Sequence, residues 1–390
     1  MSDRAGLDLE HGHLVVVGGG LATVRVVTTL RRKKFRGPVT VLCAEQDAAY
    51  DRPPLSKEVL AGGADAAPLP FDVAKLEVDL RVGTRAAALR STSTTGGTVV
   101  TETGEEIAYD ALLLATGAEP VRLPGDGEQL TLRTLPEALA LRERLTSGAR
   151  VVIIGASWIG AEVATAAHRA GCEVTCVEYG PQPLSGALGA EVGAATLPWW
   201  AGITLLTDTA VARVESDGVH LADGRVLPAD VVVTGVGVRP DLAWLAGSGL
   251  ATGRGVLTDD RCRTNLPGVL AVGDVAQRWS ERSGAHRVVE HWDEASMVAT
   301  AAVASLLTPE EGPSYDPVPY FWSDQFGRKL QYVGAHEDGD AVEVRLGDDG
   351  SLARAVWSRD GVLTAWLGVD STKDVVKARA AVGGPASAVD

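Results

Sequence analysis

A chain of 390 residues exceeds one ordinary hydrophobic core, so two or three domains are expected. Its 45% hydrophobic content and 45 glycines describe a globular, turn-rich protein, and no run of about 18 uncharged apolar residues suggests a membrane span. The net charge of −15 argues against nucleic acid as a partner. The N-terminus carries acids and leads at once into a strand, which predicts no signal peptide. Four cysteines, Cys43, Cys172, Cys176 and Cys262, form no Cys-x-x-Cys pair. Cys172 and Cys176 are expected to flank a strand, about 13 Å apart if extended and too far to bridge. They read as structural thiols in a reducing cytoplasm.

Leu14-Val15-Val16-Val17 is a short apolar run that suits a buried parallel strand. It meets Gly18-Gly19-Gly20 and then a helix-length stretch, Leu21 to Leu30. Strand, glycine turn and helix in that order form a dinucleotide-binding turn: glycines admit a pyrophosphate and the helix N-terminus attracts it. The next strand, Val39 to Leu42, leads to Glu45, an acid placed for ribose hydroxyls. Thr23 occupies the third glycine position, and the β-branched residues after it are poor helix formers, so looser packing is expected here.

Tyr50-Asp51-Arg52-Pro53-Pro54-Leu55-Ser56-Lys57 follows, a rigid segment whose cations suit an anion clamp and whose Ser56 is placed to cap a following helix. Ala111 to Gly117 reads as another buried strand ending in a small-residue turn. Then Val151 to Ile154 runs into Gly155-Ala156-Ser157-Trp158-Ile159-Gly160 and a helix through Arg169. The strand Glu173 to Val177 ends at Glu178, whose carboxylate accepts from a free 2′-hydroxyl and repels a 2′-phosphate, favouring NADH over NADPH. Ser157, in place of the middle glycine, is expected to crowd the pyrophosphate mildly. Val231 to Gly237 closes this second unit, and Gly268 to Asp274 returns to the first, with Asp274 placed for a polyol. From about Tyr320 the pattern alternates as in antiparallel strands, with a hairpin at Asp360-Gly361; a basic helix follows from Thr372, and the tail after Val382 reads as mobile.

Read end to end, the chain resembles the FAD-dependent, NAD(P)H-linked ferredoxin reductases of bacterial oxygenase systems, within the glutathione-reductase-like flavoproteins. The matching pieces are Tyr50 to Lys57, Ala115-Thr116-Gly117, Leu132 to Leu135, Gly155 to Glu162, Ala271 to Asp274, Glu290-His291-Trp292 and Phe321 to Gln325. The resemblance implies an α/β fold: two Rossmann-like domains plus a small C-terminal α+β domain. Its expected ranges are 1–118 with 241–318 for FAD, 119–240 for NAD and 319–390 for the C-terminal domain. It implies that Gly18, Gly20 and Ala22 line the FAD pyrophosphate, Glu45 the adenosine ribose and Ala86 the adenine. Thr116, Gly117, Arg52 and Arg133 would contact FAD, Asp274 would hold the ribityl chain, and Lys57 and Trp292 would lie at the flavin ring. Gly155, Ser157, Ile159, Gly160, Gly237 and Glu178 would bind NADH, with Glu162 at the nicotinamide end. Lys57, Glu162 and Trp292 are the catalytic candidates, and no metal is expected. Glu294 stands where asparagine is more usual, adding negative charge near the expected docking face.

The resemblance implies an NADH-dependent, FAD-containing enzyme, a cytoplasmic monomer or homodimer whose acceptor is a two-iron ferredoxin. NADH delivers two electrons together and an iron–sulfur protein accepts one, so the flavin serves as converter. No cysteine lies between Cys43 and Cys172, which closes the dithiol route of related disulfide reductases. Two other readings stay open: an NADH oxidase or quinone or dye reductase with a non-protein acceptor, and a non-catalytic flavin- or nucleotide-binding regulatory protein.

Overall fold

The computed structural model describes residues 6–47, 49–69, 73–91, 96–310 and 313–389. Contacts divide the chain into two units: Met1–Asp51 with Pro68–Glu119 and Arg239–Pro317, and Arg52–Ala67 with Pro120–Val238 and Val318–Asp390.

In the first unit the strand Leu14–Val17 is buried at every position, because it lies inside a parallel sheet covered on both faces. The sheet order is Val269–Ala271, Ala111–Leu114, Leu14–Val17, Val39–Leu42, Asp79–Arg81, with Leu14 opposite both Val39 and Ala111. The two-residue period splits the strand between two cores. Leu14 and Val16 pack with Val24, Val27 and Leu30 of the helix Leu21–Arg32. Val15 and Val17 pack with Val99, Ile107 and Tyr109 from an antiparallel meander, Ala86–Ser91, Gly97–Thr101 and Glu106–Tyr109. Burial of Val24, Val26 and Val27 outweighs their poor helical propensity.

The second unit repeats the parallel plan with four strands: Thr204–Leu206, Glu173–Val177, Arg150–Ile154 and Val231–Thr234. The helix Trp158–Arg169 follows its central strand. Cys176 lies within Glu173–Val177 rather than at its edge, and all four cysteines are buried and form no disulfide with one another. The C-terminal sheet of this unit is antiparallel, in the order Tyr320–Gln325, Arg328–Gly334, Val362–Val369, Leu352–Arg359, Ala341–Leu346. Asp360 and Gly361 both have positive φ, 51° and 78°, as a two-residue type I′ hairpin requires. Phe326 and Gly327 repeat those angles at a hairpin that the sequence pattern did not announce.

Two expectations fail here. Ser56 caps no helix; it ends the short 3₁₀ turn Pro53–Ser56 and turns its hydroxyl inward. Nor is the tail mobile. After the helix Val375–Ala381 the backbone of Gly383, Gly384 and Ala386 bonds to Leu363 and Gly361, Val389 is buried, and Arg354 donates to the Val389 carbonyl at 2.8 Å. Small residues let the tail lie flat across the strand Val362–Val369. Deleting residues 383–390 is expected to destabilise the protein by roughly 2–4 kcal/mol, from one buried valine and several hydrogen bonds. Calorimetry would show it as a lowered unfolding midpoint, whereas a mobile tail would leave the midpoint where it was.

Candidate functional site

The first glycine turn is shaped by contact and by vacancy of side chain. Gly18 has φ +115°, and a Cβ there would lie 2.0 Å from the Ala115 carbonyl oxygen, so only glycine fits. A Cβ on Gly20 would meet nothing within 4 Å. The helix that starts there has no side-chain cap and no acid in its first turn, so its leading amides point into that space. These features fit the pyrophosphate of a dinucleotide. Thr23 does not loosen the packing: it is 4% exposed and its hydroxyl donates to the Gly18 carbonyl at 2.6 Å. Ala22 adjoins the turn Gly273–Val275, since a Cβ on Gly273 would lie 3.6 Å from Ala22 Cβ, which brings Asp274 to the same end of the sheet. Glu45 accepts a hydrogen bond from the Tyr50 hydroxyl. Ala86 opens the first strand of the meander, and Thr116 and Gly117 follow the strand Ala111–Leu114.

Trp292 starts the short helix Trp292–Met297; its indole Nε1 donates to Asp51 Oδ1 at 2.7 Å, and the Arg25 guanidinium lies 5.8 Å from its ring centre. Glu294 brings no charge to the surface. It is buried, accepts from Arg278 Nε and Nη2 at 3.2 Å, and receives the Tyr315 hydroxyl at 3.4 Å. Arg278 is buried as well, and 3.7 Å separates it from Asp316. Beside Trp292, burial pushes His291 down to about 4, against the opposing pull of Asp274 and Asp293. The unfolded histidine binds a proton near pH 6.5 and the folded one resists it, so stability holds above pH 6.5 and falls as pH drops from 6.5 to 4. The loss is on the order of 3 kcal/mol. His291→Gln is expected to flatten that limb of a stability–pH curve; an unchanged limb would remove His291 as its source.

In the second unit Arg52 donates to the Arg133 carbonyl, which brings the two arginines together. Arg133 is followed by a capping box, with Thr134 and Glu137 bonded reciprocally at the start of the helix Leu135–Arg144. In the second glycine turn a Cβ on Gly160 would lie 1.9 Å from the Gly155 carbonyl oxygen, which again admits only glycine. Ser157 does more than crowd the turn: its hydroxyl donates to the Gly235 carbonyl at 2.6 Å and accepts the Gly160 amide at 3.2 Å, capping the helix. The Glu178 carboxylate accepts the Ala156 amide through one oxygen and the Gly180 amide through the other, both at 2.7 Å. The turn is thus tied to the strand end where a ribose is expected. Ile159 is partly exposed in the first turn of the helix, and a Cβ on Gly237 would meet nothing within 4 Å, leaving room for a ligand.

The densest cluster lies farther along that helix. Glu162 is 4% exposed, and Lys57 Nζ lies 3.0 Å from each of its oxygens. The Ser56 hydroxyl, the Ser323 hydroxyl at 2.6 Å and the Asp324 amide at 3.0 Å complete its donors. Burial pushes the Asp324 carboxyl up, opposed by Lys57 and Lys329. The structure therefore joins Lys57 to Glu162, and Trp292 to Asp51. Sequence reasoning gave Ser56 a helix cap rather than Glu162, and it assigned no role to Asp51, Ser323, Asp324 or Arg278. One signal was present: Glu162 is the only acid in the helix Trp158–Arg169 and is flanked by small and apolar residues, and such an acid needs a cation and donors.

Among the described residues no helix is long and apolar enough to cross a membrane, and no group of three or more His, Cys, Asp or Glu is placed to hold a metal. The family model described as pyridine nucleotide-disulphide oxidoreductase matches residues 12–299, and the one described as reductase C-terminal matches residues 320–388. The ferredoxin--NAD(+) reductase component of the biphenyl dioxygenase system of Paraburkholderia xenovorans (strain LB400) is 35% identical, over 95% of this chain and 93% of that protein. Among solved structures, Fdr9 is 48% identical with a TM-score of 0.91, covering 97% of both chains. Putidaredoxin reductase, in its covalent complex with putidaredoxin, is 28% identical with a TM-score of 0.88, covering 96% of this chain and 93% of that one. With both dinucleotide turns and the C-terminal sheet accounted for, the chain belongs to the pyridine nucleotide-disulphide oxidoreductase family.

Proposed function

We propose that this chain is an NADH-dependent, FAD-containing ferredoxin reductase that passes electrons singly to a two-iron ferredoxin serving a monooxygenase or Rieske-type oxygenase. The observation that carries this reading is the conjunction of two dinucleotide turns with a buried Glu162–Lys57 pair, in a chain whose four cysteines are all buried and unpaired with one another. Relatives that bear the name ferredoxin--NAD(+) reductase support it, matched over 93% and 90% of their length.

In this reading Gly18, Gly20 and Ala22 receive the FAD pyrophosphate, Glu45 the ribose and the Ala86 backbone the adenine. Thr116, Gly117, Arg52 and Arg133 add contacts, Asp274 holds the ribityl chain and Trp292 lies against the ring system. Gly155, Ser157, Ile159, Gly160, Gly237 and Glu178 hold NADH, and Glu162 orients its nicotinamide end. When bound, the flavin supplies the two-electron to one-electron conversion. The protein's part is orientation and charge. Lys57 favours the added negative charge of the reduced ring, and because Glu162 is held by neutral donors as well, it does not cancel that cation fully. Buried cysteines with no disulfide among them accord with a cytoplasmic enzyme.

Anaerobic addition of NADH to the purified holoprotein is expected to bleach the flavin band. A two-iron ferredoxin should then be reduced well above the rate with oxygen alone. No bleaching would overturn the redox reading; bleaching with oxygen as the faster acceptor would point to an oxidase. Glu178→Ala is expected to narrow the NADH/NADPH preference in kcat/KM by about tenfold, the worth of one charge-assisted hydrogen bond. Since that carboxylate also anchors two turn amides, KM should rise for both coenzymes, and the ratio is the informative readout.

A further inference from the structure

The helix Trp158–Arg169 presents one stripe to the C-terminal hairpin of its own unit. Trp158 meets the Phe321 ring edge-on at 4.6 Å, and Glu162 takes the Ser323 hydroxyl and Asp324 amide. Thr165 accepts the Phe326 amide at 2.9 Å, and a Cβ on Gly327 would lie 3.6 Å from Arg169. Positions 158, 162, 165 and 169 are spaced as one helical face, and Phe321, Ser323 and Gln325 are alternate residues on one face of the strand Tyr320–Gln325. The polar end of this seam has a direction. Gln325 Nε2 donates to Ser323 Oγ at 3.0 Å, which leaves the Ser323 hydrogen free to point only at Glu162. Ser323 and Gln325 are each 1% exposed, so no water competes.

We infer that Ser323 is a positioning residue for electron transfer through which the C-terminal sheet sets the effective charge of Lys57. The inference rests on the reading of Lys57 as the cation that serves the flavin. A carboxylate bonded to Lys57 alone would concentrate its charge there and neutralise the ammonium. Spread over the hydroxyls of Ser56 and Ser323 and the Asp324 amide, the same negative charge is shared among neutral donors, and Lys57 keeps more of its positive field. Removing the Ser323 hydroxyl returns Glu162 to Lys57. Reduction of the ring, which adds negative charge, then becomes less favourable.

The test compares wild-type, S323A, S323T and Q325L holoenzymes. Flavin content and KM for NADH are expected to stay near wild type in S323A. Its flavin midpoint potential, measured by dye equilibration, should move negative, and its rate constant for bleaching at saturating NADH should fall about tenfold. S323T keeps the hydroxyl and should restore both; Q325L, which loses only the orienting donor, should fall between. A wild-type potential in S323A overturns the proposal, and so does an S323T enzyme as impaired as S323A, which would make the site one of packing alone. The potential comparison needs no turnover of NADH. Failure of wild-type bleaching therefore speaks only against the proposed function, and an unmoved S323A potential only against the role of Ser323.

Discussion

A carboxylate sealed from water is costly unless every lone pair finds a donor, and Glu162 is the place where this protein meets that requirement most fully. Its five hydrogen bonds tie together three stretches far apart in the chain: Ser56 and Lys57, the helix that carries Glu162 itself, and the strand Tyr320–Gln325. None of the three can shift without exposing an uncompensated charge. That constraint explains why Arg52–Ala67, which follows the first nucleotide turn in sequence, clusters with the second unit. The neighbouring Arg142 guanidinium reinforces the choice by donating to the Val59 and Ala64 carbonyls and to Asp65.

The two glycine turns solve one problem with different chemistry. Both use glycine where a Cβ would strike a carbonyl about 2 Å away, at Gly18 and at Gly160. The first leaves its helix N-terminus uncapped, so its amides and dipole are free to act on an anion. The second gives one amide to Ser157 and another to Glu178, so fewer of its amides remain for an anion. A tightly held flavin and an exchangeable coenzyme would ask for that difference.

In the first unit the segment from Glu290 to Met297 is seated in a similar way, by a buried ion pair. Arg278 faces Glu294 and Asp316, packs 5.0 Å from the Tyr315 ring and donates to the Tyr315 carbonyl. An extra acid at position 294 is tolerated because an arginine already occupies the interior beside it. Trp292 is bonded to Asp51, and His291 beside it is kept neutral by burial against the pull of Asp274 and Asp293.

Local pattern was enough for much of this. Apolar runs of four residues ending in glycine announced both parallel sheets, period-two alternation announced most of the C-terminal strands, and Glu45 and Glu178 stood where acids close the second strand of such units. These features depend on near neighbours, and near neighbours are what a sequence displays. Thr23, Ser157 and Glu294 were each read as blemishes because their partners, the Gly18 and Gly235 carbonyls and Arg278, are supplied by the fold. The tail looked mobile for the same reason: its binding surface is a strand formed by residues 362–369. Above all, the meeting of Lys57, Glu162 and Ser323 joins residues more than 100 positions apart, and only the folding of a helix face against a hairpin brings one carboxylate within reach of them all.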